Sequence, residues 1–135
     1  MRLLLDTQIA LWWLASDRRL NPVARESIAS AASAVVSTAS IWEVNLKHRV
    51  GKLPISPATF RDELRKGGFA ILPIFEDHVF CSLDSIRGHD DPFDRLLLQV
   101  AIHERLDLLT ADEPLANLKE RHSALPILPL KDLVR

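Results

Sequence analysis

The chain has 135 residues, 47% of them hydrophobic and 26% charged, which excludes a disordered polymer and allows one buried core. Its formal net charge of −1 gives no support to nucleic-acid binding through a global basic excess, so any phosphate contact falls to local basic patches or bound cations. The single cysteine, Cys81, excludes an internal disulfide and a cysteine-built zinc site, and no run approaches the roughly 18 apolar residues of a membrane span.

Arg2 to Leu5 read as a short apolar strand ending at Asp6. Asp6 and Gln8 interrupt the apolar stretch that follows, so the N-terminus lacks the continuous run of a signal peptide. Thr7 can cap a helix carrying Ile9, Leu11, Trp12, Trp13 and Leu14. Asn21-Pro22 is a cap-plus-proline start for a helix to about Ser33. Ala34 to Val36 make a second buried strand, and Ser37 to Ser40 lead into a helix with Ile41, Trp42, Val44 and Leu46 that Gly51 ends. Ser56-Pro57 opens the next helix and Gly67-Gly68 stops it. Ala70 to Ile74 are expected as a strand, followed by a helix from Glu76-Asp77 to about Ile86 that carries Cys81 as a small buried hydrophobe. Asp91-Pro92 opens a helix reaching Glu104, Leu106 to Thr110 form a further strand, and a short strand near Ile127-Leu128 with a C-terminal helical turn completes the chain.

Short apolar strands alternating with helices predict an α/β fold, three layers (α/β/α) around a mainly parallel sheet, as one domain over residues 1–135. In such sheets ligands bind beyond the carboxyl ends of the strands. Asp6 directly follows the first strand and Asp112 the late one, so both should face the same edge. Glu43 lies about one turn into the helix after the second strand, where it can turn back toward that edge. In His89-Asp90-Asp91-Pro92-Phe93-Asp94, Asp91 fits the N-cap and Asp94 the third helical position, where free N–H groups and the helix dipole favour a negative charge. Capping alone would explain Asp91 and Asp94. Carboxylates that terminate hydrophobic strands in one crevice are harder to explain as surface charge. Crowded acids repel one another and some must take up protons unless a cation is present. Mg²⁺ or Mn²⁺ selects such oxygen donors, and a site of this kind suits phosphodiester hydrolysis without a histidine, cysteine or serine nucleophile.

Leu4-Leu5-Asp6-Thr7, Ser37-Thr38-Ala39-Ser40-Ile41-Trp42-Glu43, Asp91-Pro92-Phe93-Asp94-Arg95-Leu96-Leu97 and Leu108-Leu109-Thr110-Ala111-Asp112 occur in this order. With these four segments the chain resembles PIN-domain nucleases, in particular the VapC-type toxins of toxin–antitoxin pairs, over essentially its whole length. Lys47 and Gly51-Lys52-Leu53 resemble one subgroup of those toxins. The resemblance implies that Asp6, Glu43, Asp94 and Asp112 are both the catalytic and the metal-binding acids. It also implies Mg²⁺ or Mn²⁺ as cofactor, endoribonuclease activity, a homodimer and a cognate antitoxin. Asp90-Asp91 departs from the pattern by adding a carboxylate beside the site.

Thr7, Ser37, Ser40, Asp91 and Thr110 are candidates to orient the acids or a metal-bound water, and capping or strand-end hydrogen bonds explain them equally well. Lys47, His48, Arg49 and Lys52 form the best local basic stretch, with Lys47, Arg49 and Lys52 as candidates for RNA phosphates, and a solvated helix end explains it nearly as well. Arg95 either joins them or pairs with a nearby acid. The histidines show no ligand spacing. Trp12 and Trp13 stand about 100° apart on one helix, so one of them is a candidate anchor for a partner. A phosphoacceptor of the dehalogenase class would need an acid where Gln8 stands, and no glycine-rich nucleotide loop is present. The rival function is a PIN-like module that binds RNA or protein without cutting. A soluble, cytoplasmic location with no membrane contact is expected.

Overall fold

The structure, a computed structural model, describes residues 1–80 and 90–133. Five strands, β1 (Arg2–Leu5), β2 (Ser33–Ser37), β3 (Ala70–Leu72), β4 (Asp107–Thr110) and β5 (Ile127–Pro129), form one sheet in the order β3-β2-β1-β4-β5. Every pairing is parallel, with Leu4 opposite Val35 on one side and Leu108 on the other. Parallel strands need crossovers, which the helices supply. They are α1 (Thr7–Leu14), α2 (Pro22–Ala29), α3 (Thr38–Arg49), α4 (Pro57–Lys66), α5 (Glu76–Phe80), α6 (Pro92–Glu104) and α7 (Glu113–Arg121).

Alternation along β1 divides the core. Leu3 and Leu5 pack with Ile9 of α1, Ala24 and Ile28 of α2, and Phe60 and Leu64 of α4. Leu4 points the other way, onto Leu97, Leu98 and Ala101 of α6 and Leu115 and Leu118 of α7. The sheet is thus covered on both faces, which is why its strands read as continuous apolar runs. The three-layer expectation holds. Among the described residues no helix is long and apolar enough to cross a membrane.

Several local expectations change. Asp6, not Thr7, caps α1: its Oδ1 accepts the Ile9 N–H at 2.9 Å, and Thr7 begins the helix. Helix α2 ends at Ala29, where the Ser30 hydroxyl turns back to the Glu26 carbonyl at 2.7 Å, and β2 then starts at Ser33. Strand β3 stops at Leu72, before Pro73, which has no N–H for the ladder. Helix α7 was not anticipated, although Asp112-Glu113-Pro114 carries its signal: the Asp112 side chain accepts the Leu115 N–H at 3.0 Å. The expected helix to Ile86, with Cys81, lies outside the described residues after Phe80, as does His89. After α3, Gly51 takes φ +77, a conformation that favours glycine, and the reversal is closed by Lys52 N–H to the Lys47 carbonyl at 2.8 Å. That turn brings Leu53 back beside the site.

Candidate active site

Strand order reverses at β1, which lies between β2 and β4 although the chain reaches them in opposite directions. A crevice must open at such a switch point, beyond the carboxyl ends of the strands. A cleft of about 340 Å³ is found there. Its acidic lining is Asp6, Glu43, Asp91, Asp94 and Asp112, contributed by the ends of β1 and β4, by α3 and by the start of α6. Residues that stand more than 100 positions apart in the chain are therefore neighbours in space.

Asp6 is the most enclosed acid, at 5% exposure. Its Oδ1 takes the Ile9 N–H, and the Thr110 hydroxyl donates to its Oδ2. Thr110 in turn accepts the Asp112 N–H at 3.0 Å, so one buried hydroxyl ties the two strand-end acids together. Burial pushes the Asp6 carboxyl up to about 6, and the charges of Asp94 and Asp112 push the same way. The donors from Thr110 and Ile9 oppose that rise without cancelling it.

Glu43 is held differently. Its Oε1 lies 2.7 Å from the Thr7 hydroxyl, and its Oε2 lies 2.7 Å from Lys47 Nζ, one turn further along α3. Thr7 also contacts the Ser40 hydroxyl at 2.8 Å. A carboxylate only accepts, so Thr7 gives it the proton and Ser40 completes the chain as donor to Thr7. Because Asp6 took over the capping of α1, the Thr7 side chain is left for this role. Asp91 caps α6, accepting the N–H groups of Phe93 at 2.9 Å and Asp94 at 3.1 Å. Its capping reading and its place in the cleft are thus both true. Ser37 lies outside the cleft lining and caps α3 through the Ala39 N–H at 3.0 Å.

Of the basic candidates, Lys47 lines the cleft, whereas Arg49 and Lys52 are exposed near it in the chain and Arg95 is half-buried on α6. Gln8, Leu11, Trp12, Leu53 and Leu97 also line it, and none had been singled out for that place. Their signal was helical spacing: Gln8, Leu11 and Trp12 share one face of α1, as Glu43 and Lys47 share one face of α3. Trp12 and Trp13 are half-buried, with Arg19 over the first ring at 4.7 Å and Arg25 over the second at 5.4 Å. The large apolar side chains left exposed are others, among them Trp42, Val50, Phe75 and Phe80.

Among the described residues, His78, His103 and Glu104 bring three ligand atoms within 4.8 Å. His78 is buried, its Nδ1 accepts the Phe75 N–H at 3.0 Å, and its Nε2 faces Glu104 at 2.8 Å. Both ring nitrogens are committed, and a metal on Nε2 would require a proton on Nδ1, where the Phe75 N–H already points. This cluster fastens α5 to α6 rather than forming a metal site. The cleft acids are Asp6, Glu43, Asp91, Asp94 and Asp112. Their donor set is oxygen only, and burial, helped by the charges of Asp94 and Asp112, raises the Asp6 carboxyl, an uncompensated acidity that fits a hard divalent cation.

Comparison with known proteins agrees with this architecture. A search of curated proteins gave no match. The fold is similar to a toxin–antitoxin complex from Klebsiella pneumoniae, with a TM-score of 0.60 and 20% identity over 95% of this chain and 97% of that one. It is also similar to VapBC2 from Rickettsia felis bound to a DNA fragment from their promoter, with a TM-score of 0.67 and 17% identity over 96% and 98%. The PIN domain family matches residues 3–121. The strand order, the acids at the switch point and this match together place the chain in the PIN domain family.

Proposed function

We propose that this chain is, as a single domain, a metal-dependent endoribonuclease and the toxin of a VapC-type toxin–antitoxin pair. The observation that carries the reading is the gathering of Asp6, Glu43, Asp94 and Asp112 around one cleft in which the Asp6 carboxyl is pushed up to about 6. In the proposal these four acids hold Mg²⁺ or Mn²⁺. When bound, the ion supplies a polarised phosphoryl oxygen and a water of lowered pKa for in-line attack. The chain's own task is alignment: Thr110 and the Ile9 N–H aim Asp6, and Thr7 with Ser40 aims Glu43. Lys47 is the basic residue nearest the proposed chemistry, and Arg49, Lys52 and Arg95 are proposed to contact RNA phosphates further out.

The likeness to the toxin–antitoxin complex from Klebsiella pneumoniae supports an antitoxin partner for this chain. A homodimer is proposed as well, with the exposed Trp42 of α3 and Val50 just after that helix better suited to an interface than Trp12 and Trp13, which arginines already cover. Light scattering checks the dimer, co-purification with the product of the adjacent gene checks the antitoxin, and fractionation checks the cytoplasmic location.

The deciding experiment is cleavage of RNA with Mn²⁺, with and without EDTA, by the native chain and by Asp6→Asn and Glu43→Gln. Metal-dependent cleavage that both substitutions abolish is expected. Full activity in chelator, or binding of RNA with no cleavage under any divalent ion, would overturn the reading in favour of a contaminant or a non-catalytic module.

A further inference from the structure

Asp6 and Glu43, two acids of the cleft, are satisfied by opposite means. Asp6 rests on neutral donors, one N–H and one O–H, which leave its negative charge intact for a cation. Glu43 gives Oε1 to a neutral hydroxyl but Oε2 to a full positive charge, Lys47 Nζ at 2.7 Å. The pair is only partly shielded from water, with side-chain exposures of 47% for Lys47 and 16% for Glu43. A half-exposed ammonium on a flexible four-carbon stem can leave this contact at little cost. A divalent ion shared by Glu43 would meet that ammonium across one carboxylate oxygen and be repelled by it.

We infer that Lys47 is a stand-in cation: it neutralises Glu43 until a divalent ion takes that carboxylate, and the displaced ammonium then serves the RNA phosphate entering the cleft. The inference rests on the nuclease reading above and adds a positioning role that couples metal occupancy to RNA affinity. The exchange is of one cation for another on the same carboxylate oxygen. The same turn of α3 suits both states. The i,i+4 spacing lets Nζ reach Glu43, and Lys47 lines the cleft, within which its flexible head group can swing to a phosphate.

The test is Mn²⁺ titration calorimetry on the full chain without RNA, comparing the native protein with Lys47→Met, Lys47→Arg, Glu43→Gln and the Glu43→Gln/Lys47→Met double variant. Lys47→Met should bind Mn²⁺ more tightly, by about threefold to tenfold, the effect expected for one unit charge facing a dication in a water-filled cleft. Lys47→Arg, which keeps the charge, should bind as the native chain does. In the Glu43→Gln background the gain should vanish, since Lys47 acts through Glu43. With RNA, Lys47→Met should raise KM more than it lowers kcat.

A native chain that binds Mn²⁺ alongside a Lys47→Met variant that binds it equally or more weakly overturns the inference, because Lys47 is then a tether for a ligand and not a competitor. A native chain that takes up no Mn²⁺ overturns the nuclease reading itself, and this inference with it.

Discussion

Replacing Asp6 with asparagine should stabilise the metal-free protein at neutral pH even though it removes a proposed catalytic acid. The carboxyl is pushed from its ordinary 3.8 up to about 6, chiefly by burial. A folded state that holds a proton more tightly than the unfolded chain loses stability as pH rises between these two values. The cost is absent below the lower one and complete above the upper, where it amounts to ~3 kcal/mol. Asparagine never ionises, so it avoids this cost. Its Oδ1 can still accept the Ile9 N–H, but Thr110 loses the acceptor for its hydroxyl, a loss of ~1 kcal/mol. The net expectation is a gain of ~1–2 kcal/mol at about pH 7.5 and a slight loss near pH 4. Urea unfolding in chelator across that range, plotted as variant minus native, isolates Asp6 from the other titrating groups. A difference that is flat with pH, or a variant less stable at neutral pH, would refute the argument that this carboxylate is held in place against its own desolvation.

Thr110→Val removes the hydroxyl that donates to Asp6 and accepts the Asp112 N–H, so it should destabilise by ~2 kcal/mol at neutral pH and less near pH 4, where a protonated Asp6 needs the donor less. The same unfolding series reads the change. Asp91→Ala should cost ~1 kcal/mol of stability as a lost cap, while Asp94→Asn should leave the cap intact and weaken Mn²⁺ binding by at least about tenfold, measured by calorimetry. If the two substitutions behave alike, Asp94 has no role beyond the helix end. Leu4→Ala, at a fully buried position between two strands and against α6, should cost ~2–5 kcal/mol in the same assay with Mn²⁺ affinity preserved once folded.

Much of this protein was legible in one dimension because the signals are local. Asn21-Pro22, Ser56-Pro57 and Asp91-Pro92 each start a helix where they stand, since a cap and a fixed φ need no distant partner. The apolar runs of β1 and β4 announced strands buried on both faces, and Asp6 and Asp112 were visible as the polar residues that end them. Tertiary packing decided what those residues do for one another. Which side chain would cap α1 and which would aim a carboxylate was undetermined until Asp6 took the Ile9 N–H and freed Thr7 for Glu43, 36 positions away. The height of the Asp6 carboxyl likewise depends on burial and on Asp94 and Asp112, none of which is a property of neighbouring sequence. Local rules place a carboxylate on an element. The reversal of strand order at β1 alone brings the acids around a common cleft, because only there do strands separate enough to leave room between their ends.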